Sequence, residues 1–132
     1  MMMISRGYLL DSQVLVWLMS AKGQLGSKTR QIIERGDICF STISVADLKF
    51  KAKFGKLDLQ SNVVEAWTEM GFRLLNFNLE AAEEFWSFSA YEVPDPMDRQ
   101  IMAIARANNL TLLTSDRKIL SQGFPWVLDA TT

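Results

Sequence analysis

The residues of this chain best placed to do chemistry are four aspartates, Asp11, Asp47, Asp98 and Asp116. Asp11 closes one apolar stretch and Asp116 follows another. Asp47 and Asp98 each fall three residues past a plausible helix cap, Ser44 and Asp95. The chain contains no histidine, which removes Ser/His and Cys/His nucleophilic catalysis and histidine acid–base chemistry. With a single cysteine there are also too few soft ligands for a structural zinc site. What is left is chemistry by carboxylates, hydroxyls, lysines or oxygen-bound metal. Carboxylates brought together repel one another unless cations neutralise them. Oxygen-only ligands suit Mg²⁺ or Mn²⁺, ions that lower the pKa of a bound water and stabilise in-line phosphoryl displacement.

Such a cluster forms only if the elements carrying it end at one place. Asp95-Pro96-Met97-Asp98-Arg99 opens a helix: Asp95 can cap it, Pro96 suits its first turn, and Ile101, Met102 and Ala105 share a face with Asp98. Asn108-Asn109 closes that helix before a strand at Leu110 to Thr114. Ahead of it, strands are expected at Gly7 to Leu10, Ile38 to Thr42 and Phe72 to Phe77, with a last one near Trp126 to Leu128. Helices are expected at Val14 to Ser20, at Lys28 to Arg35 behind a Ser27 cap, and from the Ser44 cap to about Phe54. Further helices run from Asn62 to Met70, from Leu79 to Phe88 behind Asn78, and briefly after Asp116. Ser89 to Pro94 reads as a connector. Strands alternating with helices predict a parallel sheet covered on both faces. In such a sheet, strand C-termini and the following helix N-termini share one edge, where ligands bind. Each acid taken alone is also an ordinary cap or first-turn acid. Capping does not explain an acid at all four of these edges.

The composition is that of one globular domain spanning residues 1–132, with hydrophobic residues at 48% and charged residues at 22%. No apolar run is long enough for a membrane span, and Met1 to Arg6 lacks the order of a secretory signal. One cysteine, Cys39 in the apolar run Ile38-Cys39-Phe40, excludes an internal disulfide and fits a reducing cytoplasm. A formal net charge of −1 gives no global pull on nucleic acid. Any such contact needs a local basic rim, for which Lys49, Lys53, Lys56 and Arg99 are the candidates; a solvated face is the alternative. Lys51 points away from the face shared by Lys49 and Lys53. Ser12, Thr114 and Ser115 offer hydroxyls beside Asp11 and Asp116, either to orient a water or ligand or to end an element. The aromatics Trp17, Trp67, Phe85, Trp86, Phe88 and Trp126 suit a core, with an exposed subset around Trp86 to Tyr91 as a candidate partner groove.

Leu10-Asp11-Ser12, Ile43-Ser44-Val45-Ala46-Asp47, Asp95-Pro96-Met97-Asp98-Arg99 and Leu113-Thr114-Ser115-Asp116, in this order, resemble the PIN domain, and most of all the toxins of VapBC-type toxin–antitoxin modules. The resemblance spans Tyr8 to about Gly123. Its most specific pieces are the Asp-Pro-x-Asp-Arg motif and Phe54-Gly55-Lys56-Leu57. It implies a three-layer α/β/α fold around a mainly parallel sheet of about five strands. It also implies Mg²⁺- or Mn²⁺-dependent endoribonuclease activity, with tRNA or ribosomal RNA as substrate. A small VapB-like antitoxin as partner and a homodimer are implied as well. By position, Asp11, Asp47, Asp98 and Asp116 match the family's acidic quartet, with Asp95 the first acid of the local motif. The chain departs from the pattern in three places. Asp47 stands where Glu is more frequent, so it reaches one methylene less and binds metal directly or through water. Glu92-Val93-Pro94 replaces a basic or histidine-bearing segment, and Met97 replaces a frequent Phe.

The sequence therefore reads as a cytoplasmic, divalent-metal-dependent endoribonuclease and the toxin half of such a pair. Two rivals stay open: a metal-dependent phosphatase or DNA nuclease on a similar sheet, and a catalytically weak PIN-like module acting through a protein partner.

Overall fold

The computed structural model describes residues 7–20 and 23–132; the segment Met1 to Arg6, discussed above as lacking a signal, lies outside the described residues. Five strands, β1 (Tyr8–Leu10), β2 (Ile38–Ser41), β3 (Arg73–Leu75), β4 (Thr111–Thr114) and β5 (Val127–Asp129), form one sheet in the order β3-β2-β1-β4-β5. Every pairing is parallel, with Leu9 opposite Cys39 on one side and Leu112 on the other. Around them lie α1 (Ser12–Leu18), α2 (Ser27–Arg35), α3 (Thr42–Lys53), α4 (Val63–Glu69), α5 (Leu79–Phe85), α6 (Pro96–Ala107) and α7 (Arg117–Leu120).

The strands are short and apolar because both faces are covered. Successive side chains point to opposite faces, so Leu9, Cys39 and Leu112 join one core while Leu10, Phe40 and Leu113 join the other. The first core is closed by α5, α6 and the connector between them, through Ala81, Phe88, Val93 and the buried run Ile101 to Ala105. The second is closed by α1, α3 and α4, through Val14, Leu15, Leu48 and the fully buried Trp67, whose ring meets Phe40 edge-on at 5.1 Å. The result is the expected three-layer α/β/α sandwich. Of the aromatics around the α5–α6 connector, Phe88 is buried, whereas Trp86 and Tyr91 stand in solvent at 86% and 98% exposure.

Several boundaries differ from the sequence expectation. Ser44 does not cap α3. The Ser41 hydroxyl accepts the Ser44 N–H at 3.0 Å, and the helix begins at Thr42. Thr42 and Ile43, both β-branched, make the strand look longer than it is. Asp47 therefore lies in the second turn of α3, beyond any capping position. Ser27 is not a cap either. It is the first residue of α2, behind Gly26, and the Thr29 N–H is satisfied by the Thr132 carbonyl at 3.1 Å. A Cβ at position 26 would stand 2.0 Å from that carbonyl oxygen, so the approach requires glycine. Helix α1 starts two residues early, at Ser12, because Asp11 serves as its N-cap. Strand β3 and helix α5 are each shorter than their apolar patterns suggest.

Candidate active site

The chain enters the sheet at its centre, builds β2 and β3 to one side, and returns across β1 to place β4 and β5 on the other. The β1/β4 boundary is thus the topological switch point, where a crevice opens beyond the carboxyl ends of the strands. Asp11 leaves β1 and Asp116 follows β4 at this crevice. Helix α6 delivers Asp98 there because a helix returning to a parallel strand starts at the sheet's carboxyl edge. A cleft of about 300 Å³ is lined by Asp11, Ser12, Gln13, Asp47, Lys51, Asp95, Asp98, Ser115 and Asp116. All four expected acids are brought together there, with Asp95 beside them.

Each acid is held differently. Asp11 is buried; its Oδ1 accepts the Ser12 N–H at 2.8 Å and its Oδ2 accepts the Thr114 hydroxyl at 2.6 Å. Burial pushes the Asp11 carboxyl up, the bonds from Thr114 and Ser12 oppose this, and the charges of Asp116 and Asp47 add to the rise. Asp116 caps α7, its Oδ1 accepting the Lys118 and Ile119 N–H groups at 2.8 and 3.2 Å. Its own N–H donates to Thr114 Oγ1 at 3.1 Å, so Thr114 ties both acids together. Asp95 caps α6 by accepting the Met97 N–H at 2.9 Å. Asp98 is pushed up to about 7, first by burial and then by the charges of Asp11, Asp95, Asp116 and Asp47. Asp47 caps nothing, and its partner is the Lys51 ammonium at 3.2 Å. Capping therefore accounts for Asp11, Asp95 and Asp116 in part, and leaves Asp47 and Asp98 unexplained.

Beneath the acids, Ser12 Oγ donates to Ser44 Oγ at 3.0 Å, and Ser41 donates to the same oxygen at 3.3 Å. These buried hydroxyls clamp the start of α1 to the start of α3. Ser115 lines the cleft. The candidate basic rim falls outside the cleft lining. Lys49, Lys53 and Lys56 are exposed, and Arg99 lies over the Phe85 ring at 5.0 Å while donating to the Pro94 carbonyl at 3.3 Å. Lys51 and Gln13 line the cleft without having been singled out from sequence. For Lys51 the signal was present, an i,i+4 spacing from Asp47.

Among the described residues no three acids are already drawn into a ready-made metal-binding group. The donor set nonetheless fits a hard divalent cation: every lining acid offers oxygen, and the rise of Asp11 and Asp98, caused first by burial, is increased by neighbouring acids whose charge such a cation would relieve. Fold and cleft together define a three-layer α/β protein with an acidic centre at its switch point.

This chain belongs to the PIN domain family, whose model matches residues 8–124. PIN domains are generally nucleases and generally use divalent metal ions. No curated protein sequence matches the chain. Its fold is similar to that of a toxin–antitoxin complex from Klebsiella pneumoniae, at 19% identity over 93% of this chain and 97% of that one, with a TM-score of 0.67. It is also similar to DNA-bound VapBC from Salmonella typhimurium, at 19% identity over 89% and 92%, TM-score 0.62. FitAcB from Neisseria gonorrhoeae matches at 22% identity over 93% and 97%, TM-score 0.62. Among the described residues no helix is long and apolar enough to cross a membrane.

Proposed function

We propose that this PIN domain is a divalent-metal-dependent endoribonuclease, the toxin of a toxin–antitoxin pair, acting on tRNA or ribosomal RNA in the cytoplasm. The observation that carries the reading is the convergence of Asp11, Asp47, Asp98 and Asp116 on one cleft, where burial first and the neighbouring acids second raise Asp98 to about 7. The likeness in fold to chains of a toxin–antitoxin complex and of DNA-bound VapBC supports a small VapB-like protein as partner; a homodimer rests on the resemblance to the family.

Asp11, Asp98 and Asp116 would hold Mg²⁺ or Mn²⁺, with Asp47 completing the set directly or through water. When bound, the ion supplies charge neutralisation and Lewis acidity at the scissile phosphate. The chain's own residues do the rest. Thr114 fixes the spacing of Asp11 and Asp116 through its two bonds. The Ser12–Ser44–Ser41 hydroxyls fix the start of α1 against α3. Asp98, raised to about 7, holds a proton over part of the neutral range, and a bound cation would displace it. Hydrolysis then adds water across one P–O bond, leaving one hydroxyl end and one phosphate end.

The test is cleavage of bulk tRNA by purified protein in Mn²⁺ or Mg²⁺ against EDTA, with Asp98→Asn in parallel. Cleavage requiring both metal and Asp98 is expected. Cleavage that persists in EDTA or in Asp98→Asn would overturn the reading. Equal turnover of DNA or of a phosphomonoester would favour the broader nuclease or phosphatase rival. Co-purification of a small protein with no RNA cleavage would favour a binding module.

A further inference from the structure

Lys51 is the one cation among the described residues lining the acid cleft. Its ammonium lies 3.2 Å from Asp47 Oδ2. The lysine side chain is 48% exposed and the aspartate 16%, an i,i+4 pair on one helix face. Exposed pairs of this spacing contribute little to fold stability. Nor does Asp47 serve the fold in another way, since Ser41 caps α3 and Asp47 sits a turn beyond it. Asp47 is thus an acid without a capping role, sharing the cleft with four other acids and paired with a half-exposed lysine. The lysine stem is flexible and its ammonium a compact point charge, able to leave one anion for another without a fixed fork geometry. A polyanionic substrate approaching this cleft meets acids on every side, and so needs a cation at its mouth.

Resting on the metal-dependent ribonuclease reading, we propose that Lys51 is the cleft's internal counter-cation: it holds Asp47 while the acids carry no divalent ion, and passes to a phosphate of the RNA backbone once Asp47 turns to the metal. Lys51 and the metal thus compete for one carboxylate, and substrate is gripped only in the metal-loaded cleft.

Calorimetric Mn²⁺ titration without RNA tests the first half, on the wild type, Lys51→Met, Lys51→Arg, Lys49→Met and Asp98→Asn. Removing a charge that competes for Asp47 should tighten Mn²⁺ binding on the order of tenfold in Lys51→Met. Lys51→Arg should bind as the wild type does, and Lys49→Met, the same charge change outside the cleft, should leave affinity unaltered. Equal Mn²⁺ affinity in Lys51→Met and wild type would overturn the inference, as would equal tightening in Lys49→Met, which reports net charge alone. Asp98→Asn must lose Mn²⁺ binding for the metal reading itself to hold, so the two failures are distinguishable. Retention of bulk tRNA on immobilised, Mn²⁺-loaded protein as salt is raised tests the second half. Lys51→Met should release tRNA at lower salt, with the logarithmic salt slope reduced by about one. An unchanged slope would overturn the phosphate contact. A wild type that retains no tRNA at any salt would overturn the RNA reading, and the phosphate contact with it.

Discussion

Thr114 and Asp11, 103 positions apart in sequence, are joined by a 2.6 Å hydrogen bond inside the protein. The bond is fully buried on the threonine side, and the same hydroxyl accepts the backbone N–H of Asp116. Thr114→Val keeps the shape and removes the donor. It should cost about 1–3 kcal/mol in urea unfolding, because the Asp11 carboxylate loses a buried partner. It should also weaken Mn²⁺ binding, while Thr114→Ser retains most of both. A valine variant as stable and as metal-competent as the wild type would remove Thr114 from the site.

Asp98 sets the pH dependence. Its carboxyl lies at about 7 in the folded chain against an ordinary value of 3.8. Between those values the folded state holds a proton that the unfolded state has lost. Stability of the metal-free protein should therefore fall as pH rises from about 4 to about 7 and level off above it. Mn²⁺ affinity should run the other way, rising through the same window as the competing proton leaves. Asp98→Asn should remove the Asp98 share of that fall, leaving the share from the raised Asp11 carboxyl, and raise stability at pH 8 on the order of 1 kcal/mol after solvent screening. Thermal unfolding in EDTA from pH 4 to 8 measures both; a flat wild-type profile would contradict this account of Asp98.

Ser41, not Ser44, should behave as the cap of α3. Ser41→Ala is expected to cost about 1–2 kcal/mol and to accelerate amide exchange at Ser44, whose N–H it caps. Ser44→Ala should leave that amide protected and cost roughly 1 kcal/mol through the lost hydroxyl bridge to Ser12. Exchange rates by NMR separate the two.

Arg99 should report on packing. Its guanidinium lies over Phe85 and reaches the Pro94 carbonyl, tying α6 to α5 and to the connector before it. Lysine cannot reproduce a stacked plane and a directed N–H together. Arg99→Lys should therefore lower stability by about 1 kcal/mol and leave the salt dependence of tRNA retention unchanged. A shifted salt dependence at unchanged stability would place Arg99 on the nucleic acid instead.

The acids were legible in sequence for a local reason. Asp11, Asp95 and Asp116 end or begin elements and carry the signature of caps, and Asp98 follows Pro96 in a first turn. The parallel sheet was legible from the alternation of short apolar strands with helices. What local pattern could not supply was the partner of each group. No spacing rule joins Thr114 to Asp11, because that contact exists only once β1 pairs with β4. Thr42 and Ile43 have strand-like side chains, so the local pattern starts α3 too late and puts Asp47 in a first turn it does not occupy. Arg99 looked like a rim cation because a guanidinium beside acids suggests substrate. Its use against Phe85 depends on how α5 and α6 pack, which sequence alone does not specify.

The place of β1 in the sheet bears on how the cleft comes into being. The strand met first in the chain sits mid-sheet, and one of its neighbours arrives about a hundred residues later. Closing a loop of that length is an entropic toll that precedes its reward, and non-local pairing of this kind is slow. A half-folded chain can hold α1, β2 and α3 in order and still have no cleft, since Asp11 has yet to meet Thr114 and Asp116. The acidic cleft is complete only once β1 and β4 have paired, so a partly folded chain that lacks this register also lacks the site.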